Sequence, residues 1–411
     1  MIVCKFGGTS VASVSSAVKI KQIVKSNKNR KIVVVSALGK SEGKIKITDL
    51  LFKLYYCLIN GEPYEFLIDE LFLRYKNLSQ SLKVNINWNR HKMVLINKIN
   101  SRNYTKEYIV SRGEYYSAIL YSKFLKAKFL DAKNYIKFEK SGKFSEKMTK
   151  KCLKTLKNGE FYVIGGFYGG DANGNICVFD RGGSDITGAI ICKLLNCEIY
   201  ENYTDVDGVY DKNPALFSNA NKLPLLNYKT AIAMAKGGNE VVHIDALKTM
   251  KSSKAILVVK STLLPQNLGT IVVLNTPSFN NLFICNCPVY VVEFYGGLKL
   301  LEHLKQCGKV LKVFKHKNKH IAILCSLYIP LQKLLTNKNI ISANQKEMFT
   351  VFSNILISKN NLKKLKFLIK KLKKHYIFCK FLSHCNNLVL LLNSSQKSFI
   401  SSEINKMLNC N

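Results

Sequence analysis

A chain of 411 residues, 47% of them hydrophobic, exceeds what one ordinary core holds and calls for two or three packed domains rather than a disordered polymer. No apolar run approaches the roughly 18 residues of a membrane span, and the first strand leads straight into a glycine turn, so neither a spanning segment nor an export signal is expected and the cytoplasm is the expected compartment. The net charge of +37 invites a nucleic-acid reading, but only six of the 63 basic residues are arginine, whereas base and phosphate readers favour arginine forks interleaved with aromatics. Abundant Lys, Asn, Ile, Tyr and Phe read instead as a codon-level bias with solvated lysines. Thirteen cysteines without a CxxC pair read as reduced thiols, with no zinc site or disulfide framework.

In chain order, IVCKF (2–6) and KIVVVSA (31–37) are apolar strand-type runs around a helix-patterned segment, 11–25, with Val11, Val14, Val18, Ile23 and Val24 near one face. That is a β-α-β unit, which feeds a parallel sheet. Helices are expected over 48–60, 63–78, 113–128 and 229–238, and strands over 161–167, 197–210 and 255–261. The alternation through about residue 275 indicates one α/β domain with a mostly parallel sheet. A joint is expected near TPSFNN (276–281), after which only four acidic residues occur, Glu293, Glu302, Glu347 and Glu403. Beyond the joint, strands are expected at 288–294, 320–326, 349–356, 376–381 and 387–393, and helices at 297–307, 328–336, 361–374 and 396–408. That order suits one or two small α+β modules.

Four clusters carry chemistry. KFGGTS (5–10) places a lysine and two glycines at a strand-to-helix turn, where free backbone N–H groups and the helix dipole favour an anion. It matches neither a P-loop nor a dinucleotide fingerprint, and a tight packing turn explains it equally well. GGFYGGDANGNICVFDRGGSDITGA (165–189) repeats the glycine-and-hydroxyl pattern at a second helix start. There Arg181 can grip a carboxylate through both nitrogens, and Asp185 can orient donors or a metal. YTDVDGVYDKNP (203–214) has its glycine and acids misplaced for a calcium loop and suits a nucleotide-binding loop after a strand. SRGEYYSA (111–118) sets Arg112 and Glu114 at an expected helix start, where a glutamate also serves simply to offset the dipole. The seven histidines form no cluster with these motifs.

Taken together and in this order, KFGGTSVAS, SRGEYYSA, GF…DRGGSDITGA and TDVDGVY resemble the aspartate kinases of the amino-acid kinase family, over about residues 1–275. The resemblance implies a three-layer sandwich around a mostly parallel sheet, residues 1–275 as the catalytic domain, and residues 276–411 as a degenerate ACT-like regulatory or dimerisation region. It implies transfer of the ATP γ-phosphate to the β-carboxylate of L-aspartate, giving 4-phospho-L-aspartate, with Mg²⁺ carried on the phosphates and no protein metal site. It places Lys5, Gly7 and Gly8 at the phosphates, with Lys5, Gly8 and Asp185 at the transfer centre. Ala37, Thr48, Glu114, Phe167, Arg181 and Ser184 fall at aspartate-binding positions, and Thr204, Asp205 and Tyr210 at ATP-binding ones. A carboxylate nucleophile needs no general base, so the expected work is positioning and charge neutralisation. A homodimer through the C-terminal region is expected, with aspartate and ATP as partners and no nucleic acid or membrane.

The chain departs from the family pattern at Phe179-Asp180 before Arg181, and at Ala215, Glu240 and Asp245, where basic residues are expected. The losses at 215 and 240 predict weaker ATP binding with chemistry retained, partly offset by Lys212 or Lys236. Two alternatives remain open from the sequence: a related kinase acting on another acidic metabolite, and a degenerate, non-catalytic nucleic-acid-binding chain.

Overall fold

A computed structural model describes residues 1–40, 43–179, 182–239, 241–276, 282–295, 298–316, 319–327, 336, 340–353, 378–382 and 387–392. The chain opens with β1 (Ile2–Phe6), α1 (Gly8–Val11), α2 (Val14–Lys25), β2 (Arg30–Val35), α3 (Ile47–Asn60), α4 (Glu65–Ser81), α5 (Trp88–Asn100) and α6 (Lys106–Leu125). It continues through β3 (Lys128–Leu130), α7 (Ala132–Tyr135), α8 (Glu146–Leu153), β4 (Tyr162–Gly165), β5 (Tyr168–Gly170), β6 (Ile176–Val178), α9 (Gly183–Leu194) and β7 (Ile199–Thr204). Next come β8 (Val209–Tyr210), β9 (Lys222–Leu223), β10 (Leu225–Asn227), α10 (Tyr228–Gly237), α11 (Ile244–Ser253), β11 (Ile256–Ser261) and β12 (Thr270–Val273). The last described elements are β13 (Leu282–Phe294), α12 (Leu298–Cys307), β14 (Gly308–His316), β15 (Lys319–Leu327), β16 (Ile340–Ser353), β17 (Phe378–Leu382) and β18 (Asn387–Leu392).

These elements form two compact units. One comprises 1–209, 223–232 and 241–276; the other comprises 210–222, 233–240 and 277–411. The first unit is built on an eight-stranded sheet of order β10-β12-β11-β7-β1-β2-β4-β3. Every neighbouring pair is parallel except β11 with β12. All five residues of β1 are buried, as the centre of a parallel sheet covered on both faces requires. Alternate strand residues Cys4, Phe6, Val33, Val35 and Val163 join a core with α2 to α6, while α9 packs on β1, β2 and β7. The fold is therefore the expected mostly parallel α/β architecture with helices on both sides.

α2 differs from its expected face. Its N-cap Ser13 accepts from the Ser16 N–H at 3.2 Å, and the buried stripe is Ser16, Ala17, Ile20, Ile23 and Val24, whereas Val14 and Val18 are exposed. The helix breaks after Val11 and restarts at Val14, which rotates the register assumed from one continuous pattern. The described cysteines of this unit are free thiols.

The second unit contains a six-stranded antiparallel sheet, β14-β15-β13-β16-β18-β17. Leu300 and Leu304 of α12 pack into a core with Val292, Phe294, Ala322, Leu324, Ile340 and Ala343. Strands at 288–294, 320–326, 376–381 and 387–393 and the helix at 297–307 have counterparts here. The expected helices at 361–374 and 396–408, and all of 328–336 except Thr336, lie outside the described residues. β14 was not anticipated, because its lysines break the apolar alternation and bulges at Lys309 to Lys312 shift its register. Among the described residues no helix is long and apolar enough to cross a membrane.

Candidate active site

β1, β2, β4 and β7 run parallel, so their C-terminal ends lie along one edge of the first unit. The chain leaves β1 for β2 on one side and comes back as β7 on the other. Such a switch point opens a crevice beyond the strand ends. The four exits are tied to one another by backbone bonds. Gly7 N–H donates to the Tyr203 carbonyl at 3.0 Å, Ser36 N–H to Phe6 at 3.2 Å, Gly39 N–H to Gly8 at 2.8 Å and Gly166 N–H to Val35 at 3.0 Å.

Lys5, one residue before the end of β1, points its Nζ 2.7 Å from Asp185 Oδ1. The two residues are only 9% and 8% exposed. Asp185 lies in the first turn of α9, where a negative charge is favoured by the helix dipole. Its Oδ1 also accepts from Asn202 Nδ2 at 3.0 Å, its Oδ2 accepts from the His243 backbone N–H at 3.0 Å, and its carbonyl accepts from Tyr200 Oη at 3.2 Å. Burial pushes this carboxyl up, but the Lys5 ammonium and the donated hydrogen bonds outweigh burial and hold it below the ordinary carboxylate range. His243 is thus part of the cluster around the second glycine loop, contrary to the sequence expectation. It acts here through its main chain, which carries no side-chain signal.

The second glycine loop is locked to the exit of β4. A Cβ on Gly166 would stand 2.5 Å from Ser184 Cα, so only glycine lets this backbone reach the start of α9. Phe167 follows with φ of +74°, an uncommon conformation for a side-chain-bearing residue. Its N–H donates to Thr187 Oγ1 at 3.1 Å and its carbonyl accepts from Phe179 N–H at 2.8 Å. Arg181 lies outside the described residues.

Glu114 stands in the middle of α6, which starts at Lys106 behind the N-cap Thr105. The expectation of a first-turn glutamate fails, because the helix already begins at Lys106 and carries Glu114 in its interior. Gly113 brings this helix onto the exit of β2: a Cβ there would stand 2.6 Å from Ala37 Cβ. The Glu114 carboxyl is buried, and its Oε2 has no hydrogen-bond partner among the described residues. Burial raises it from an ordinary 4.5 to about 8, against the weaker pull of the Ala37 and Glu114 backbone and of Arg112. Arg112 itself is buried, with its guanidinium 4.4 and 4.3 Å from the ring centres of Tyr108 and Tyr115.

Thr48 is half-buried in the first turn of α3, whose Ile47 N–H donates to the Leu38 carbonyl at 3.0 Å. Thr204 ends β7, and its hydroxyl donates to the exposed Asp205 carboxylate at 3.0 Å. Lys5, Gly7, Gly8, Ala37, Thr48, Glu114, Phe167, Ser184, Asp185, Thr204 and Asp205 all belong to the first unit. Tyr210 belongs to the second unit, where its carbonyl accepts from Asn239 Nδ2 at 3.3 Å. Ala215 is also in the second unit, and Glu240 is outside the described residues. Sequence reasoning missed Asn202 and Tyr200; a run of polar residues in a central parallel strand was the available signal.

Residues 1–261 match the family model described as the amino acid kinase family. The chain belongs to that family. This amino acid kinase is 30% identical to aspartokinase 3 of Bacillus subtilis over 295 residues, covering 66% of this chain and 63% of that protein. It is 29% identical to lysine-sensitive aspartokinase 3 of Escherichia coli, covering 66% and 64%. These matches span about three fifths of the curated relatives' own length. Among solved structures, Clostridium acetobutylicum aspartate kinase superposes with a TM-score of 0.74 at 25% identity, covering all of both chains. E. coli aspartokinase III, in complex with aspartate and ADP, gives 0.77 at 20% identity over 99% of both chains, a likeness of fold.

Proposed function

We propose that this amino acid kinase is an aspartate kinase, forming 4-phospho-L-aspartate from L-aspartate and ATP. The observation that carries the reading is the buried Glu114 carboxyl, whose Oε2 has no hydrogen-bond partner among the described residues, on the strand-end edge that also holds the Lys5 ammonium. A buried polar atom without a partner is costly, and a guest ammonium group would relieve it. An acceptor acid with a free amine therefore suits the site better than an N-acylated one. The aspartokinase relatives support the same choice of acceptor.

An oxygen of the β-carboxylate attacks the γ-phosphorus, the bond from phosphorus to the β,γ-bridging oxygen breaks, and ADP departs with that electron pair. Lys5 and the amides of the Gly7-Gly8 turn meet the charge on the moving phosphoryl group. Ala37, Thr48, Phe167, Arg181 and Ser184 hold aspartate, and Arg181 takes one of its carboxylates. Thr204 and Asp205 hold the nucleotide. Asp185 fixes Lys5 beside the transfer centre.

Among the described residues no three His, Cys, Asp or Glu side chains form a metal cage, and Asp185 already accepts from three donors. This donor set suits Mg²⁺ held by the nucleotide's own phosphates, where it supplies further charge neutralisation when bound. Residues 1–275 are the catalytic domain in this reading. Residues 276–411 are a regulatory and dimerisation region of a cytoplasmic homodimer, and the product feeds the routes to lysine or diaminopimelate, threonine and methionine.

Incubation with Mg·ATP and L-aspartate, trapping the acyl phosphate with hydroxylamine, tests the reading. Hydroxamate with aspartate is the expected result. Product with glutamate or acetylglutamate alone would shift the acceptor, and no turnover with any acid would overturn the proposal.

A further inference from the structure

The Lys5–Asp185 pair is spanned by a third side chain that belongs to none of the four sequence motifs. β1 and β7 pair in parallel with Lys5 directly beside Asn202. The Asn202 amide N–H donates to Asp185 Oδ1 at 3.0 Å, and its carbonyl oxygen accepts from Lys5 Nζ at 3.4 Å. Asn202 is 1% exposed, so both ends of the amide need partners, and the two charges are those partners. A neutral carboxamide offers a donor to the anion and an acceptor to the cation at once. A leucine offers neither, and an ionised aspartate offers no donor.

We propose that Asn202 is a positioning residue for phosphoryl transfer, holding the Lys5 ammonium in one direction over the Gly7-Gly8 turn. This rests on the kinase reading above. A Cβ on Gly7 would stand 3.5 Å from Lys5 Nζ, which puts the ammonium at the turn itself. An ammonium has three N–H donors. Asp185 and Asn202 take two of them, which leaves the third for an anion at the turn. Asp185 alone would tether Nζ at one point and leave it free to rotate about that contact. The second point of attachment fixes its direction, and transfer rates are sensitive to misplacement of this kind.

Asn202→Asp and Asn202→Leu test the proposal. The protonated aspartic acid keeps the shape, donates to Asp185 and accepts from Lys5. Once ionised it sets a second carboxylate beside Asp185 and pins Lys5 between two anions. Among the described residues, Asn202 bonds the charged Lys5 of β1 and Asp185 of α9, and the titratable Tyr200 of β7 and His243 ahead of α11 bond to Asp185 in turn. The β11 neighbour is the apolar Val259, and Cys4, Arg30 and Glu201 pair with one another on the opposite face.

In N202D, kcat is therefore expected to be highest at low pH and to fall as pH rises, a limb the parent lacks. N202L is expected to lose about tenfold or more in kcat at every pH, with the KM for aspartate changed by less than about twofold. N202S, small and neutral, replaces N202L if melting shows that the latter is not folded. A parental pH profile in N202D, or parental kcat in N202L or N202S, overturns the proposal. Parental turnover of aspartate, run alongside, tests the kinase reading separately. If the parent is inert, the rate at which acetic anhydride modifies Lys5, read by mass spectrometry, decides the matter: a rate at least about twofold different in the variant supports the hold, and an equal rate overturns it.

Discussion

Gly113 lies so close to Ala37 that a Cβ added to the glycine would stand 2.6 Å from the alanine's own Cβ. That contact seats α6 on the end of β2 and fixes the depth at which the next residue, Glu114, enters the strand-end crevice. Gly113→Ala must push the helix away or distort both elements, and overpacking of this kind costs about 1–3 kcal/mol. Urea melts are expected to show the loss. The double variant with Ala37→Gly, which removes the opposing Cβ, should recover part of it. Full stability in the single variant would show that the helix is not seated by this contact.

Glu114 should make both stability and aspartate binding depend on pH. Its carboxyl titrates near 8 in the folded chain against an ordinary 4.5, so between those values the folded state holds more protons than the unfolded one. Stability therefore falls as pH rises from about 4.5 to 8, and Glu114→Gln should flatten that slope. A guest ammonium favours the ionised carboxyl, so aspartate binding near pH 7 should release about one proton. Calorimetry in two buffers of different ionisation enthalpy measures that release. Glu114→Gln should abolish it and raise the KM for aspartate by about tenfold or more, leaving the KM for ATP nearly unchanged.

The strands and glycine turns of the first unit were legible because each is a local signal: an apolar run of five or six residues, then glycines and hydroxyls. Lys5 stood out for the same reason, as a charge inside such a run. What links Lys5 to Asn202 is the register of two strands 197 positions apart, which no local pattern encodes. His243 contributes a backbone N–H, which leaves no trace in residue type. The helix start expected beside Arg112 and Glu114 fails because local cues do not report the fourteen buried residues that hold α6 along its length. In the second unit, the lysines of β14 hid a strand that pairs through its backbone.

Arg30 and Glu201 form a bidentate pair, Nε to Oε2 at 2.6 Å and Nη2 to Oε1 at 2.9 Å, with Tyr203 Oη and Cys4 Sγ also donating to Oε2. The pair staples β1, β2 and β7 on the face opposite Lys5. Burial raises the Glu201 carboxyl, but Arg30 overrides this and leaves it below its ordinary value. Its contribution to stability is therefore present above about pH 4.5 and is lost as pH falls through the lowered value. Removing one partner of a buried pair costs about 3–5 kcal/mol. Glu201→Ala should lower the unfolding free energy read from urea melts by that amount, and Glu201→Gln by less. An unfolding free energy within about 0.5 kcal/mol of the parent would mean that the staple contributes nothing.

Lys5→Met tests the centre of the proposed chemistry. The methionine keeps the bulk of the side chain but removes the charge that meets the phosphoryl group. Loss of one such electrostatic contact is expected to lower kcat by about 10²–10³. The variant should still fold, because Asp185 keeps its bonds from Asn202 and the His243 N–H. Its carboxyl loses its counter-charge, so stability should drop by a few kcal/mol, the scale of an uncompensated buried charge, about 3–5. Lys5→Arg should not rescue turnover. The planar guanidinium is larger and would have to fit a position only 9% exposed, and it forks toward its partners where the ammonium acts as a point charge. Near-parental hydroxamate formation by Lys5→Met, in protein shown by melting to be folded, would remove Lys5 from the transfer step.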